Sequence, residues 1–374
     1  VSSQLFDAID YLEKEKGISK VVLIEALEAA LISAYKKNFK SATNVRVDID
    51  EKLGTMRLFS RKIVVDEIED DQNEITLEEA CKVDPNYEVD DVLEVEVTPK
   101  DFGRIAAQAA KQVVTQRVRE AERGVIFSEY SDREDDVMTG IISRKDNRFI
   151  YVNLGKIEAK LAESEQIPTE TYEVHDRLKV YVTKVENTNK GPQIYISRSH
   201  PGLLKRLFEM EVPEIYDGTV EIKSIAREAG DRSKISVFAE DTEVDPVGSC
   251  VGQKGQRVQA IVNELKGEKI DIVEWSEDPV IYVSNALSPS KVLKVIVDEE
   301  ENATTVIVPD YQLSLAIGKR GQNARLAAKL TGWKIDIKSE TDARELGLID
   351  DSDVQIIQES TETGENHEED DFLF

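Results

Sequence analysis

Along the N-terminal stretch, apolar residues recur every three or four positions. Leu5, Ile9 and Leu12 share one face of a short segment; Val22, Leu23, Ala26, Leu27, Ala30 and Leu31 share one face of a longer one. This spacing predicts two amphipathic helices, the second capped by Ser19 and running through Phe39. The period then drops to two. "NVRVDID" and "TMRLFSRKIVVDEI" alternate apolar and polar residues and read as a hairpin joined through Leu53-Gly54. A further strand, "DVLEVEVTP", leads into a long helix, "DFGRIAAQAAKQVVTQRVREAER", with Arg104, Lys111, Arg117, Arg119 and Arg123 on its outer face. Residues 1–132 therefore read as one α+β domain.

From residue 133 to 200 the pattern becomes short alternating runs separated by turn residues. "DVMTGIISR", "RFIYVNLG", "IEAKL", "RLKVYVTKV" and "QIYISRS" predict five antiparallel strands, which suit a small barrel of the OB type. In the second strand Ile150, Val152 and Leu154 lie on one face, and Phe149, Tyr151 and Asn153 on the other. If the aliphatic face fills the barrel, Phe149 and Tyr151 stand outward beside Arg144 and Arg148. That arrangement would make a stacking surface for single-stranded bases; the alternative is that Phe149 packs under a loop or against a neighbouring domain.

Residues 201–346 contain an internal repeat. "VGQKGQRVQAIVNELKGEKIDI" matches "IGKRGQNARLAAKLTGWKIDI", with Gly252 and Gly255 recurring 66 positions later as Gly318 and Gly321. Around each G-x-x-G the order is helix, strand, strand, helix, glycine turn, helix, strand. One glycine turn occurs readily by chance, whereas the same unit twice in one chain does not. The layout resembles the KH domain (type II, α-β-β-α-α-β), whose glycine loop clamps nucleotides by their backbone. By that resemblance Gly252, Gln253, Lys254 and Gly255 form one RNA clamp in a first unit, 201–276. Gly318, Lys319, Arg320 and Gly321 form the other in a second unit, 277–346. Arg257, Arg325 and Lys329, on the helices that follow, either reach phosphate or are simply solvated.

Charge at first argues against nucleic acid, because the chain carries a formal −27. Its distribution removes that objection. Residues 66–101 hold 15 acids against two bases, and 342–374 hold 12 against one, so these two blocks account for nearly all of the excess. Tyr311 to Ile335 holds five bases and no acid. Residues 347–374 read as a disordered acidic tail. The two cysteines, Cys81 and Cys250, lie far apart, which argues against a disulfide framework or zinc site and fits a reducing cytoplasmic compartment. No run is apolar enough to span a membrane. The three histidines lack ligand spacing with acids or cysteines, and no phosphate-binding G-x-x-x-x-G-K-[ST] loop or G-x-S-x-G elbow is present. No catalytic residue, metal or cofactor is therefore expected.

An α+β domain, an OB-type barrel and two KH-like units, in that order, resemble the NusA family of bacterial transcription elongation factors across residues 1–346. "LFEMEVPEIYDGTVEIKSIAREAGDRSKISV", "DPVGSCVGQKGQRVQAIVNEL" and "AIGKRGQNARLAAKLTGW" carry the resemblance. It implies a multidomain α+β protein that works as a monomer. The N-terminal domain would dock on RNA polymerase, with the acidic stretch 66–96 and the basic helix 104–123 as the expected contacts. An S1–KH–KH array would hold nascent single-stranded RNA, prolonging pauses, promoting termination and joining other Nus factors in antitermination. The barrel lacks the exposed histidine and paired phenylalanines of many S1 domains. After Leu348 only the acidic tail follows, so regulation through the C-terminal acidic repeats of some members is not expected. The alternative readings are a KH/S1 RNA-processing enzyme or a ribosome-associated RNA-binding protein.

Overall fold

The computed structural model describes residues 2–39, 44–50, 55–100 and 102–349. These fall into two compact units, one holding residues up to 128 with 189–192, the other the remainder.

The first unit opens with α1 (Ser2–Lys16) and α2 (Lys20–Phe39), followed by β1 (Val45–Asp50), β2 (Thr55–Val65) and β3 (Glu74–Thr76). It continues with α3 (Leu77–Val83), β4 (Val92–Glu96) and α4 (Phe102–Ser131). β2 is the spine of the sheet: β1 and β4 pair with it antiparallel, and β3 extends it in parallel at its far end. The expected helical stripes supply most of the core, except that Val22 is exposed and Ala26 and Ala30 are half-buried. Leu27 and Leu31 of α2 meet Val45, Val47 and Leu58 of the sheet and Phe102, Ala106, Ala109 and Ala110 of α4. Ile9 and Leu12 pack with Phe6 and Leu23. β1 and β2 pair as an antiparallel ladder from Asp50 opposite Thr55; the Leu53-Gly54 turn expected between them lies outside the described residues. Two features depart from expectation. α4 runs on to Ser131, and the acidic stretch carries α3, whose first turn is capped by Thr76 Oγ1 accepting from the Glu79 N–H at 3.3 Å. Glu78 and Glu79 in that turn favour the positive end of the helix dipole, so the acids assist this helix.

The second unit begins with a closed barrel of β5 (Val137–Lys145), β6 (Phe149–Asn153), β7 (Glu158–Ala162), β8 (Arg177–Thr188) and β9 (Gly191–Ser197), ordered β5-β6-β7-β9-β8. Not every pair is antiparallel: β7 and β9 run parallel, because the chain leaves β7 through a long connection and returns to close the barrel. Ile150, Val152 and Leu154 point into the barrel with Ile142, Leu161, Val180, Val182, Ile194 and Ile196.

Next come α5 (Pro201–Glu211), α6 (Pro213–Tyr216), β10 (Val220–Glu228), β11 (Arg232–Ala239), α7 (Pro246–Val251), α8 (Gln256–Glu264) and β12 (Lys269–Glu274). The repeat follows as α9 (Pro279–Ala286), β13 (Lys294–Asp298), β14 (Ala303–Val308), α10 (Leu313–Ile317), α11 (Gln322–Thr331) and β15 (Lys334–Ser339), ending with α12 (Glu340–Glu345). Each copy has a three-stranded sheet in which the first two strands are antiparallel and the last two parallel. The copies share a core: Ala226 and Val273 of the first pack among Tyr282, Val283, Val306, Leu326 and Leu330 of the second. The Tyr282 hydroxyl donates to the Leu330 carbonyl at 3.0 Å and lies 2.8 Å from Ser236 Oγ of the first copy. Arg198, wholly buried, fastens the barrel to the first copy, bonding Glu170, the Lys179 carbonyl and the Glu264 carbonyl.

Candidate nucleic-acid interface

The two glycine turns have the same backbone. Gly252 adopts φ 73°, ψ 176° and Gly318 φ 75°, ψ 171°. The third residues, Lys254 and Arg320, are left-handed at φ 52° and 56°, and Gly255 and Gly321 follow at φ 72° and 73°. Two left-handed residues in succession reverse the chain between α7 and α8, and between α10 and α11. A left-handed lysine or arginine is strained by about 1–3 kcal/mol, and such strain concentrates where function needs a fixed shape. The first glycine of each loop is also a close approach. A Cβ on Gly252 would sit 2.7 Å from Arg257 Cγ, and one on Gly318 2.8 Å from the backbone N and Cβ of Asn323. Gly318→Ala must therefore shift backbone at the start of α11. We expect it to lower the stability of the second copy by about 1–3 kcal/mol and to weaken RNA binding, read by thermal melting and an RNA titration.

Helices α8 and α11 start directly after these turns, and no side chain caps either one. Their first-turn N–H groups and positive dipole ends thus lie beside the loops, an arrangement suited to phosphate. Lys254, Lys319, Arg320 and Lys329 are exposed and make no ion pair among the described residues. Arg257 and Arg325 differ. Arg257 Nη1 donates to Glu214 Oε2 at 2.9 Å and to the Ser249 carbonyl. Arg325 grips Glu228 through Nε (2.6 Å) and Nη2 (3.1 Å) while Nη1 donates to the Arg320 carbonyl at 3.1 Å. The Arg325 guanidinium, with Gln322 beside it, lowers the Glu228 carboxyl, and Glu228 in turn raises Arg325.

On the barrel, Phe149 and Tyr151 stand outward, half-buried, their ring centroids 6.2 Å apart. Their faces are partly engaged. The Arg144 guanidinium lies 3.4 Å from the Tyr151 centroid, and Lys160 Nζ 5.4 Å from that of Phe149. The Tyr151 hydroxyl donates to Asp146 at 2.9 Å. That carboxylate also accepts the Arg148 and Phe149 N–H groups, which lead in lowering its pKa. Arg148 is exposed. Among the described residues no group of histidine, cysteine or acid side chains could hold a metal ion, and no helix is long and apolar enough to cross a membrane.

Sequence reasoning missed Glu214, Glu228, Gln322 and Asn323. Gln322 Nε2 donates to Glu228 at 2.9 Å and Asp231 at 2.7 Å, joining α11 to the first copy. Asn323 is buried, with Nδ2 donating to the Leu287 and Ala316 carbonyls. One signal was available: Asn323 occupies the same repeat position as Arg257, five residues after the first glycine.

Family models match in the same order along the chain: the NusA N-terminal domain at 4–124, the S1 RNA binding domain at 131–197, the NusA-like first KH domain at 198–275 and the NusA-like second KH domain at 279–345. The transcription termination/antitermination protein NusA of Bacillus subtilis (strain 168) is 73% identical over 372 residues, covering 98% of this chain and 100% of the relative. The chain belongs to the NusA family. The NusA protein of Halalkalibacterium halodurans is 70% identical over 381 residues, covering 99% of this chain and 100% of that one. The solution structure of the N-terminal domain of NusA from B. subtilis is 67% identical, covers 33% of this chain and 99% of that one, and superposes with a TM-score of 0.31.

Proposed function

We propose that this NusA-family chain is an RNA-binding transcription factor, not an enzyme. It docks on RNA polymerase in the cytoplasm as a monomer and holds nascent single-stranded RNA. In that position it prolongs pauses, promotes hairpin termination and joins other Nus factors in antitermination. The observation that carries the RNA reading is the pair of superimposable glycine loops. Each presents an uncapped helix start beside exposed cations, Lys254 in the first and Lys319 with Arg320 in the second, and the two copies pack together through Ala226 and Val273. Gly252, Gln253, Lys254 and Gly255 form the first clamp; Gly318, Lys319, Arg320 and Gly321 the second, with Lys329 extending it. Phe149, Tyr151 and Arg148 contribute an auxiliary stacking surface on the barrel, weakened because Arg144 already covers Tyr151.

The test is pause lifetime of purified bacterial RNA polymerase on a hairpin-pause template. Adding the chain should lengthen the pause, and the Lys319→Asp/Arg320→Asp variant should lengthen it less. Tight RNA binding without any change in pausing would refute the polymerase-linked role. Shortening of labelled RNA in phosphate and Mg²⁺ would favour the processing enzyme instead.

A further inference from the structure

We propose that Arg257 and Arg325 are positioning residues: they set the two glycine loops for RNA through Glu214 and Glu228 and do not themselves contact phosphate. The inference rests on reading the loops as RNA clamps, and it divides the six basic residues on and after them into two kinds.

The first loop is set from behind. Ser249 lies in the last turn of α7, where a carbonyl has no partner within the helix. Arg257 supplies that partner from α8 while the same Nη1 holds Glu214 of α6. Its methylene stem fills the space over Gly252, so the glycine and the arginine fit as a pair. The second loop is held at both ends. Asn323, the repeat counterpart of Arg257, ties the Ala316 carbonyl just before Gly318. Arg325 ties the carbonyl of Arg320, the residue forced into the left-handed region. Arg325 holds both Glu228 oxygens and a loop carbonyl through three of its five N–H groups, and Arg257 holds Glu214 and its loop carbonyl through Nη1, so each guanidinium is anchored where it sits. Moving Arg325 to phosphate would release the Arg320 carbonyl and leave Glu228 with the neutral Gln322 as its hydrogen-bond partner beside a polyanion. Lys254, Lys319, Arg320 and Lys329 face no such cost.

The consequence has an unusual sign. Neutralising a carboxylate near an RNA site should tighten binding on electrostatic grounds alone. Here Glu214→Gln and Glu228→Gln weaken it, because each releases the arginine that shapes its loop. The experiment titrates the full chain with a short unstructured RNA oligonucleotide across a salt series, with thermal melting as a check on folding. Glu214→Gln and Arg257→Gln should each bind about 3- to 10-fold more weakly through lost preorganisation. The double variant should be no worse than either single one, and the salt slope should match wild type. Glu228→Gln and Arg325→Gln should behave alike; if one pair fails to fold, the other decides. Lys254→Asp serves as the clamp control. Weaker binding by Lys254→Asp with unchanged or tighter binding by the glutamate variants would overturn the positioning role alone. So would a slope reduced by about 0.7 in Arg257→Gln or Arg325→Gln, the mark of a lost phosphate contact. Unchanged affinity in Lys254→Asp would sink the clamp reading and this proposal together.

Discussion

Lys319→Asp combined with Arg320→Asp should weaken binding of single-stranded RNA about 100-fold at about 0.1 M salt, while leaving the fold intact. Each phosphate contact on a single strand contributes about 0.7 to the slope of log affinity against log salt. Losing two lowers the slope by about 1.4, a factor of about 25 at that salt, and aspartate adds like-charge repulsion beyond neutralisation. Folding should tolerate the change. Both side chains are exposed and make no ion pair among the described residues. Aspartate also accepts the left-handed conformation at position 320 better than most residues do. The check is a salt series by fluorescence anisotropy beside a melting curve. A parallel salt response in variant and wild type would remove the phosphate contacts from the account. A lost melting transition would make the pair structural.

The two glycine loops were legible in the sequence because their signal is local and doubled. Glycines at a fixed offset, cations between them and a helix-forming run recur 66 residues apart, and both copies fold alike. The barrel was legible for a similar reason: strict alternation in β6 separates Ile150 and Val152 from Phe149 and Tyr151. What the sequence hid is how charges pair across distance. Arg257 meets an acid 43 positions away and Arg325 one 97 away, and no periodicity encodes such a partner. The interior charges were hidden more deeply. Lys234 and Arg198 are both wholly buried, each against an acid, Asp271 and Glu170, that lies far away in the chain. The acidic stretch misled in the opposite sense, since its charge density masked the short helix α3.

Glu268→Ala should destabilise the first KH copy by about 3–5 kcal/mol, the usual result of stranding one partner of a buried ion pair. The side chains of Glu268 and Arg227 are both wholly buried, and the carboxylate accepts four bonds. Two come from Arg227 Nε and Nη2 at 2.9 Å, one from the Gly230 N–H at 2.9 Å and one from the Ser233 hydroxyl at 2.6 Å. Burial acts to raise its pKa, but these donors outweigh it and the group titrates below the ordinary 4.5. The sign of the pH dependence follows. With the folded pKa depressed, the stabilisation is complete above the unfolded value and is lost as pH falls through the folded one. The gap between wild type and Glu268→Gln should thus be widest near neutrality and close in acid, measured by urea unfolding at several pH values. A gap independent of pH would show that packing, not the charge, matters. The damage should also spread. Gly230 sits in the turn between β10 and β11, flanked by Glu228 and Asp231, the two acids that receive Gln322 and Arg325 of the second copy. Loosening that turn frees the anchor of the second glycine loop, so amide exchange should rise around Arg320 as well as at Ile235 and Val237 in the core. Faster exchange confined to the first copy would mean the two glycine loops are set independently.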